Sequence, residues 1–177
     1  MPPKRYKIKD IGQVVGGGTP STSNPEYYGG TIPWLSPKDL SNHNRRYISH
    51  GEKNITALGL ANSGAKIMPA GTILMSSRAP IGYLAIAAND ICTNQGFKSI
   101  VPNLDMVDPE YLYYYLRYHI EEIKSLGVGT TFAEISGKLL ENYEVELPEL
   151  TLQRRVSSFL SAIDSKIELN QSINDNL

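Results

Sequence analysis

The last 27 residues, Thr151 to Leu177, contain neither proline nor glycine. Within them Leu152, Val156, Phe159, Ile163, Ile173 and Leu177 fall on one seam at alternating steps of four and three, with Lys166 and Asn170 as its polar interruptions. That spacing specifies a helix with a heptad stripe. Leu160 and Ile167 widen the stripe. At 1.5 Å per residue the helix would be about 40 Å long. An apolar face of that length must be buried somewhere. It either folds back on its own domain or meets a partner, and the length favours a partner.

The preceding residues divide unevenly. Up to residue 60 the chain is turn-rich, punctuated by Gly16, Gly17, Gly18, Pro20, Asn24, Pro25, Gly29, Gly30, Pro33 and Pro37. Irregular structure is expected there, with one short element within Ile8–Val15 and with Trp34 and Leu35 anchoring the segment to the core. Thr72–Met75, Tyr83–Ala88 and Lys98–Val101 are short apolar runs bounded by Gly, Pro or Asn, and predict strands. Asp108-Pro109 opens a helix, with Leu112, Leu116, Ile120 and Ile123 on its buried face and Gly127 as its stop. A short helix near Ile135–Leu140 and a strand at Tyr143–Leu147 follow. The expected class is α+β: a domain over residues 1–150 with a mixed, mostly antiparallel sheet and flanking helices, then a long protruding helix over 151–177.

Catalytic patterns are missing. His43, His50 and His119 show no metal-ligand spacing with one another or with Cys92. Gly16-Gly17-Gly18-Thr19-Pro20 lacks the Gly-Lys-Ser/Thr of a phosphate loop, and Gly127-Val128-Gly129 lacks a third glycine. Asp108-Pro109-Glu110-Tyr111 is not the Asp/Asn-Pro-Pro-aromatic signature expected of a DNA amino-methyltransferase. The lone Cys92 excludes an internal disulfide and fits a reducing compartment. No apolar run reaches the roughly 20 residues of a membrane span. Met1–Asp10 is basic but lacks the apolar stretch of a secretory signal. A cytoplasmic protein with no membrane contact is expected.

Charge is distributed asymmetrically. Residues 1–100 hold 11 Lys/Arg against 5 Asp/Glu, a net of +6, and residues 101–177 hold 6 against 13, a net of −7. The basic part suits phosphate, and the acidic part suits protein. Lys38, Arg45, Arg46, Arg78, Lys98 and Lys138 lie in or beside loops, among Ser36, Asn42, Asn44, Ser76, Ser77, Thr93, Asn94, Gln95, Thr130 and Thr131. Arginine reads guanine edges, Asn and Gln read adenine, and hydroxyls hold phosphate oxygens. Two other classes remain open: a nuclease with an unrecognised site, or a protein-interaction scaffold whose helix is its only functional surface.

The order of segments carries a resemblance. Gly17-Gly18-Thr19-Pro20-Ser21-Thr22, Tyr27-Tyr28-Gly29-Gly30 and Ile32-Pro33-Trp34-Leu35 resemble the opening of a target recognition domain from the specificity subunit of Type I restriction–modification systems. The run from Ala70 to Gly82, including Ser76-Ser77-Arg78-Ala79-Pro80, is similar to that family's central strand and loop, and Thr93-Asn94-Gln95-Gly96-Phe97 to its next signature. Leu147-Pro148, Leu152-Gln153 and the helix through Ile163-Asp164 resemble the spacer.

The resemblance implies recognition of half of a split sequence on double-stranded DNA. Thr19, Ser21, Thr22, Lys38, Arg45, Arg46, Ser76, Ser77, Arg78, Asn94, Gln95, Lys98, Thr130, Thr131 and Lys138 become candidate DNA contacts. Arg78 and Lys98, inside shared signatures, would serve the DNA backbone; Arg45 and Arg46, outside them, would read bases. Leu152, Val156, Phe159, Ile163, Asn170 and Ile173 would form the spacer or dimer seam. It further implies a methyltransferase subunit using S-adenosylmethionine and an ATP-dependent restriction subunit as partners, with no cofactor on this chain. Members usually hold two recognition domains, whereas this sequence holds one. A half-length subunit would pair with itself through its helix and read a symmetric target; otherwise a second recognition domain supplies the partner.

Overall fold

The computed structural model describes residues 2–129 and 133–174. In chain order its elements are β1 (Lys4–Lys7), α1 (Ile8–Ile11), β2 (Gly12–Gly16), β3 (Tyr28–Leu35), α2 (Pro37–Ser41), β4 (Tyr47–Ile48), β5 (Lys53–Ile55), α3 (Ala57–Ala61), β6 (Ile73–Ser77), β7 (Ile81–Ala87), β8 (Cys92–Thr93), β9 (Lys98–Pro102), α4 (Pro109–Tyr118), α5 (Ile120–Ser125), α6 (Gly137–Glu141), β10 (Glu144–Leu147) and α7 (Leu150–Asn174).

The described residues form three sheets. The largest has the order β2-β9-β6-β7-β4, antiparallel except where β4 meets β7; the second is β5-β3-β8, with β3 parallel to β8. In the third, β1 pairs antiparallel with β10, Lys4 opposite Leu147. The expected α+β class and mostly antiparallel pairing are therefore present.

Every residue of the central strand β6 is buried, which explains its unbroken apolar run. Its pleat sends alternate side chains to opposite faces. Ile73 and Met75 join Ile86, Ile100, Leu112, Leu116, Ile123 and Leu140 beneath the helices. Leu74 joins Phe97, Leu35, Leu40, Ala85 and Ala87 on the other side. Trp34, Ile55, Ala65 and Cys92 form a third cluster, in the smaller sheet. Trp34 is an anchor as expected, donating from Nε1 to the Gly18 carbonyl at 2.9 Å.

Residues 1–60 depart from expectation. They hold five strands, not an irregular segment. Pairing with distant strands overrides their poor local propensity. Gly30 marks the reason in β3: a Cβ there would lie 2.4 Å from the Ile55 carbonyl oxygen of β5.

Asp108 caps α4 by accepting the Tyr111 N–H at 2.9 Å. The helical path breaks at His119, giving α4 and α5, before it reaches Gly127. The long C-terminal helix is present, with 25 residues in α7. It meets the body through its polar face. Gln153, 1% exposed, fixes its base: Oε1 accepts the Asp108 N–H, and Nε2 donates to the Met106 and Pro148 carbonyls. Further along, Tyr114 and Arg117 of α4 donate to Asp164. The stripe of Leu152, Val156, Phe159, Ile163 and Ile173 faces away from the domain and is exposed, Phe159 at 69%. Asn170 is exposed beside it, and Leu177 lies outside the described residues.

Candidate nucleic-acid interface

Four loop segments from different parts of the sequence are tied together at one end of the main sheet. The glycine segment after β2 sends its Gly18 N–H to the Thr93 carbonyl at 2.9 Å, and the Thr19 hydroxyl meets the Gln95 side-chain oxygen. The end of β6 holds the 94–96 turn through Ser77, whose N–H and hydroxyl both donate to the Gly96 carbonyl, at 2.8 and 3.2 Å. On its other edge the Ile135 N–H donates to the Ser77 carbonyl at 3.0 Å, beside the bridge between Val128 and Glu134.

Glycine is required here for close approach. A Cβ on Gly17 would lie 2.0 Å from the Asn94 carbonyl oxygen and 2.4 Å from that of Thr93. One on Gly18 would lie 2.2 Å from the Gly64 carbonyl carbon. The glycine run is thus a packing device, and its first task is to seat the 93–95 loop.

The side chains around this frame are polar, and several are cationic. Arg78 follows β6, and Lys98 begins β9. They converge on one carboxylate: Arg78 Nη1 lies 3.6 Å from Glu134 Oε2, and Lys98 Nζ lies 3.1 Å from Oε1. Ala79, next to Arg78, holds a left-handed φ of 50°, an uncommon conformation for a side-chain-bearing residue. Gln95, Ser21 and Thr22 are exposed, and Thr19 is half-buried. Lys38 is exposed on α2 and pairs with Glu52 at 3.0 Å. Lys138 is exposed on α6, which packs on β2. Thr130 and Thr131 lie outside the described residues.

Four candidates turn inward instead. Ser76 and Ser77 are fully buried, and their hydroxyls serve the fold: Ser76 Oγ donates to the Pro80 carbonyl and accepts the Tyr83 N–H. Asn94 Oδ1 accepts the Gly96 N–H, shaping its own turn. Arg46 is 6% exposed, with Nη1 on Glu110 at 3.1 Å and Nη2 on the Ser165 hydroxyl at 2.6 Å. Burial opposes its charge, but Tyr114, Glu168 and Glu110 together outweigh that cost and hold its pKa above the ordinary value. Arg45 donates to the Ser172 hydroxyl at 2.8 Å.

Both arginines therefore engage α7, in place of the expected base edge. The Arg46 carbonyl accepts the Ile86 N–H, five residues along β7 from the turn that carries Arg78, or about 17 Å of strand.

Two residues of this face were not singled out in the sequence. Lys66 is exposed one residue past the Gly64–Ala65 peptide on which Gly18 rests. Its signal was a lysine after a Ser-Gly turn. Glu134 was hidden in the acidic half, although it is the only acid in the four loop segments 16–23, 77–80, 93–98 and 127–134.

Among the described residues no group of three His, Cys, Asp or Glu side chains is placed to hold a metal ion, and no helix is long and apolar enough to cross a membrane. Burial pushes the Cys92 thiol up to about 11, so it carries little thiolate at neutral pH.

Comparison with known proteins points the same way as these loops. Residues 3–177 match the family described as Type I restriction modification DNA specificity domain. The chain is 47% identical over 171 residues to the Type I restriction enzyme MjaIX specificity subunit of Methanocaldococcus jannaschii, an alignment covering 96% of this chain and 39% of that protein. It is 28% identical over 180 residues to the HindI specificity subunit of Haemophilus influenzae, covering 94% and 38%. The chain thus spans about two fifths of the length of these relatives. Among solved structures it resembles the HsdS subunit from Thermoanaerobacter tengcongensis, with a TM-score of 0.70 at 23% identity over 94% of this chain and 38% of that one. It also resembles a chain from work on complex assembly and conformational transition of the type I R-M system, with a TM-score of 0.73 at 22% identity over 98% and 41%.

Proposed function

Since the chain belongs to the Type I restriction modification DNA specificity domain family, we propose that it recognises one half of a split sequence on double-stranded DNA. In this reading it directs the methyltransferase and restriction subunits of a Type I complex to that site. The observation carrying this is the convergence of the loop segments 17–22, 78–80 and 94–98 and of the Val128–Glu134 bridge on one frame that holds Arg78, Lys98, Gln95 and Thr19 together.

Rigid strands hold such loops in place, while the loop side chains remain free to differ. Arg78 and Lys98 serve phosphate, as do Lys38 and Lys66 at its edges. Gln95, with Ser21 and Thr22, is placed to read base edges. Arg46 leaves the base-reading set, because its guanidinium is committed to α7. S-adenosylmethionine and ATP belong to the partner subunits, and this chain performs no chemistry of its own.

The outward stripe of α7 takes a second spacer helix, from another copy or from a second recognition domain. It is an apolar heptad face left uncovered by its own domain. A scaffold with no DNA role would not need four loops fastened around a cationic pair.

Duplex-binding titrations across salt concentrations test the reading. Arg78→Ala should weaken binding to every sequence without changing which sequence is preferred. Gln95→Ala should cost on the order of 1–3 kcal/mol at one base position and relax preference there. A folded protein that binds no duplex, alone or with methyltransferase subunit, refutes it.

A further inference from the structure

The carboxylate of Glu134 stands out on the loop face. It is the only acidic group in the four loop segments. Its two oxygens are divided between two cations from different strands, Arg78 Nη1 at 3.6 Å and Lys98 Nζ at 3.1 Å. The backbone delivers it there: Glu134 bridges antiparallel to both Arg78 and Val128, exchanging N–H···O bonds of 3.1 Å with Val128. The seat opens to solvent on the Arg78 side, where the Glu134 side chain is 38% exposed and that of Arg78 39%, while Lys98 beneath them is 17% exposed.

Two anionic oxygens bridging an arginine and a lysine make the arrangement that a phosphodiester offers through its two free oxygens. We propose that Glu134 holds, in the DNA-free protein, the seat that a DNA backbone phosphate takes in the complex. Binding is then an exchange of anions. The phosphate displaces the carboxylate, and the Arg78–Lys98 pair keeps one shared anionic partner throughout. This rests on the DNA-reading role proposed above and adds a control on affinity to it.

The exchange has a particular consequence. Each bound phosphate normally releases condensed counterions, which produces the salt dependence of binding. Where the phosphate only replaces a carboxylate, the freed carboxylate retains a counterion, and part of that dependence is lost. The cost of displacing Glu134 is also the same for every sequence. It therefore sets how tightly the protein holds any DNA without changing which DNA it prefers.

Glu134→Gln keeps the backbone bridges and removes only the charge. Binding of wild type and variant to a mixed-sequence duplex, and selection from a pool of randomised duplexes, are compared over a range of salt. Glu134→Gln should bind every duplex roughly two- to five-fold more tightly, as the loss of a partly exposed ion pair allows. Its log–log salt slope should steepen by about 0.9, and the selected sequences should be unchanged. In an Arg78→Gln background the gain should largely vanish. Glu121→Gln, which removes a surface charge paired with Lys124, should leave the slope alone.

Unchanged affinity and slope in a folded Glu134→Gln overturns the proposal. So does a change of preference at one base pair, which would make Glu134 a reader of cytosine. If Glu134→Gln misfolds, Glu134→Asp decides: its shortened carboxylate should give a smaller gain of the same kind, and no gain overturns the exchange. Wild type that binds duplex while the variant behaves identically defeats this inference alone. Wild type that is folded and binds none defeats the DNA-reading role itself.

Discussion

Arg46 and Glu168, 122 residues apart in sequence, are joined twice: Glu168 Oε1 accepts the Arg46 backbone N–H at 2.9 Å and its Nε–H at 3.4 Å. With Glu110, Ser165 and the Asp164–Tyr114 bond, this pair makes the contact between α7 and the body largely polar. Such contacts depend on geometry more than burial of apolar area does.

Replacing Arg46 tests that contact. Arg46→Met should leave two largely buried carboxylates, Glu110 and Glu168, without their cation, and cost on the order of 3 kcal/mol. Arg46→Lys should recover only part, because an ammonium lacks the planar fork that reaches several acceptors. Chemical denaturation of the three proteins measures both. A neutral Arg46→Met would show that the seam does not hold the helix.

Gly17→Ala should destabilise the fold and the loop face together. The new methyl group meets two backbone carbonyls, which cannot rotate away. A loss of about 1–3 kcal/mol follows from overpacking, together with weaker DNA binding. Gly16→Ala, where a Cβ meets nothing within 4 Å, is the matched control. Equal behaviour of the two variants would contradict the close-packing role.

Stability should fall on mild acidification through His43. Burial lowers its pKa below the ordinary 6.5, with Arg45 adding to the effect and the bond to the Tyr47 carbonyl opposing it. The unfolded chain then takes up the proton first, so stability rises with pH through the window below 6.5 and is fully present above it. Melting temperatures of wild type and His43→Gln across that window should diverge in slope. Parallel curves would assign the acid sensitivity elsewhere.

Phe159→Gln should leave the stability of the folded chain within about 0.5 kcal/mol, since its side chain is mostly exposed. The same change should abolish association through α7, measured by sedimentation with the partner that joins it. Unaffected association would remove the outward stripe as the interface.

Parts of this arrangement were open to sequence reasoning because their causes are local. Asp108-Pro109 carries its own helix start, and the apolar run of β6 reports burial on both faces. Other parts have distant causes. β3 contains Gly29, Gly30 and Pro33, which spoke for a loop, yet Trp34 pairs with both Lys53 and Cys92. Arg46 looked like a free loop cation because the helix that covers it lies more than a hundred residues away. Ser76 and Ser77 had the composition of a binding loop, and only the sheet order shows that they sit inside it. The loop face was half legible. Its motifs were visible in order, whereas Glu134, its counter-ion, gave no signal until the strands were assembled.

The pairing of β1 with β10 sets Lys4 directly opposite Leu147, so the residues that bracket the domain are adjacent strand neighbours about 5 Å apart. Everything between them, including all four loop segments, forms a closed excursion that leaves and returns at one point. A unit built this way can be exchanged as a cassette: replacing the excursion with another of different loops keeps both flanks, and the helix that follows, in register. In the DNA-reading role proposed above, target preference and assembly geometry would then be separable along the polypeptide, each alterable without recutting the other.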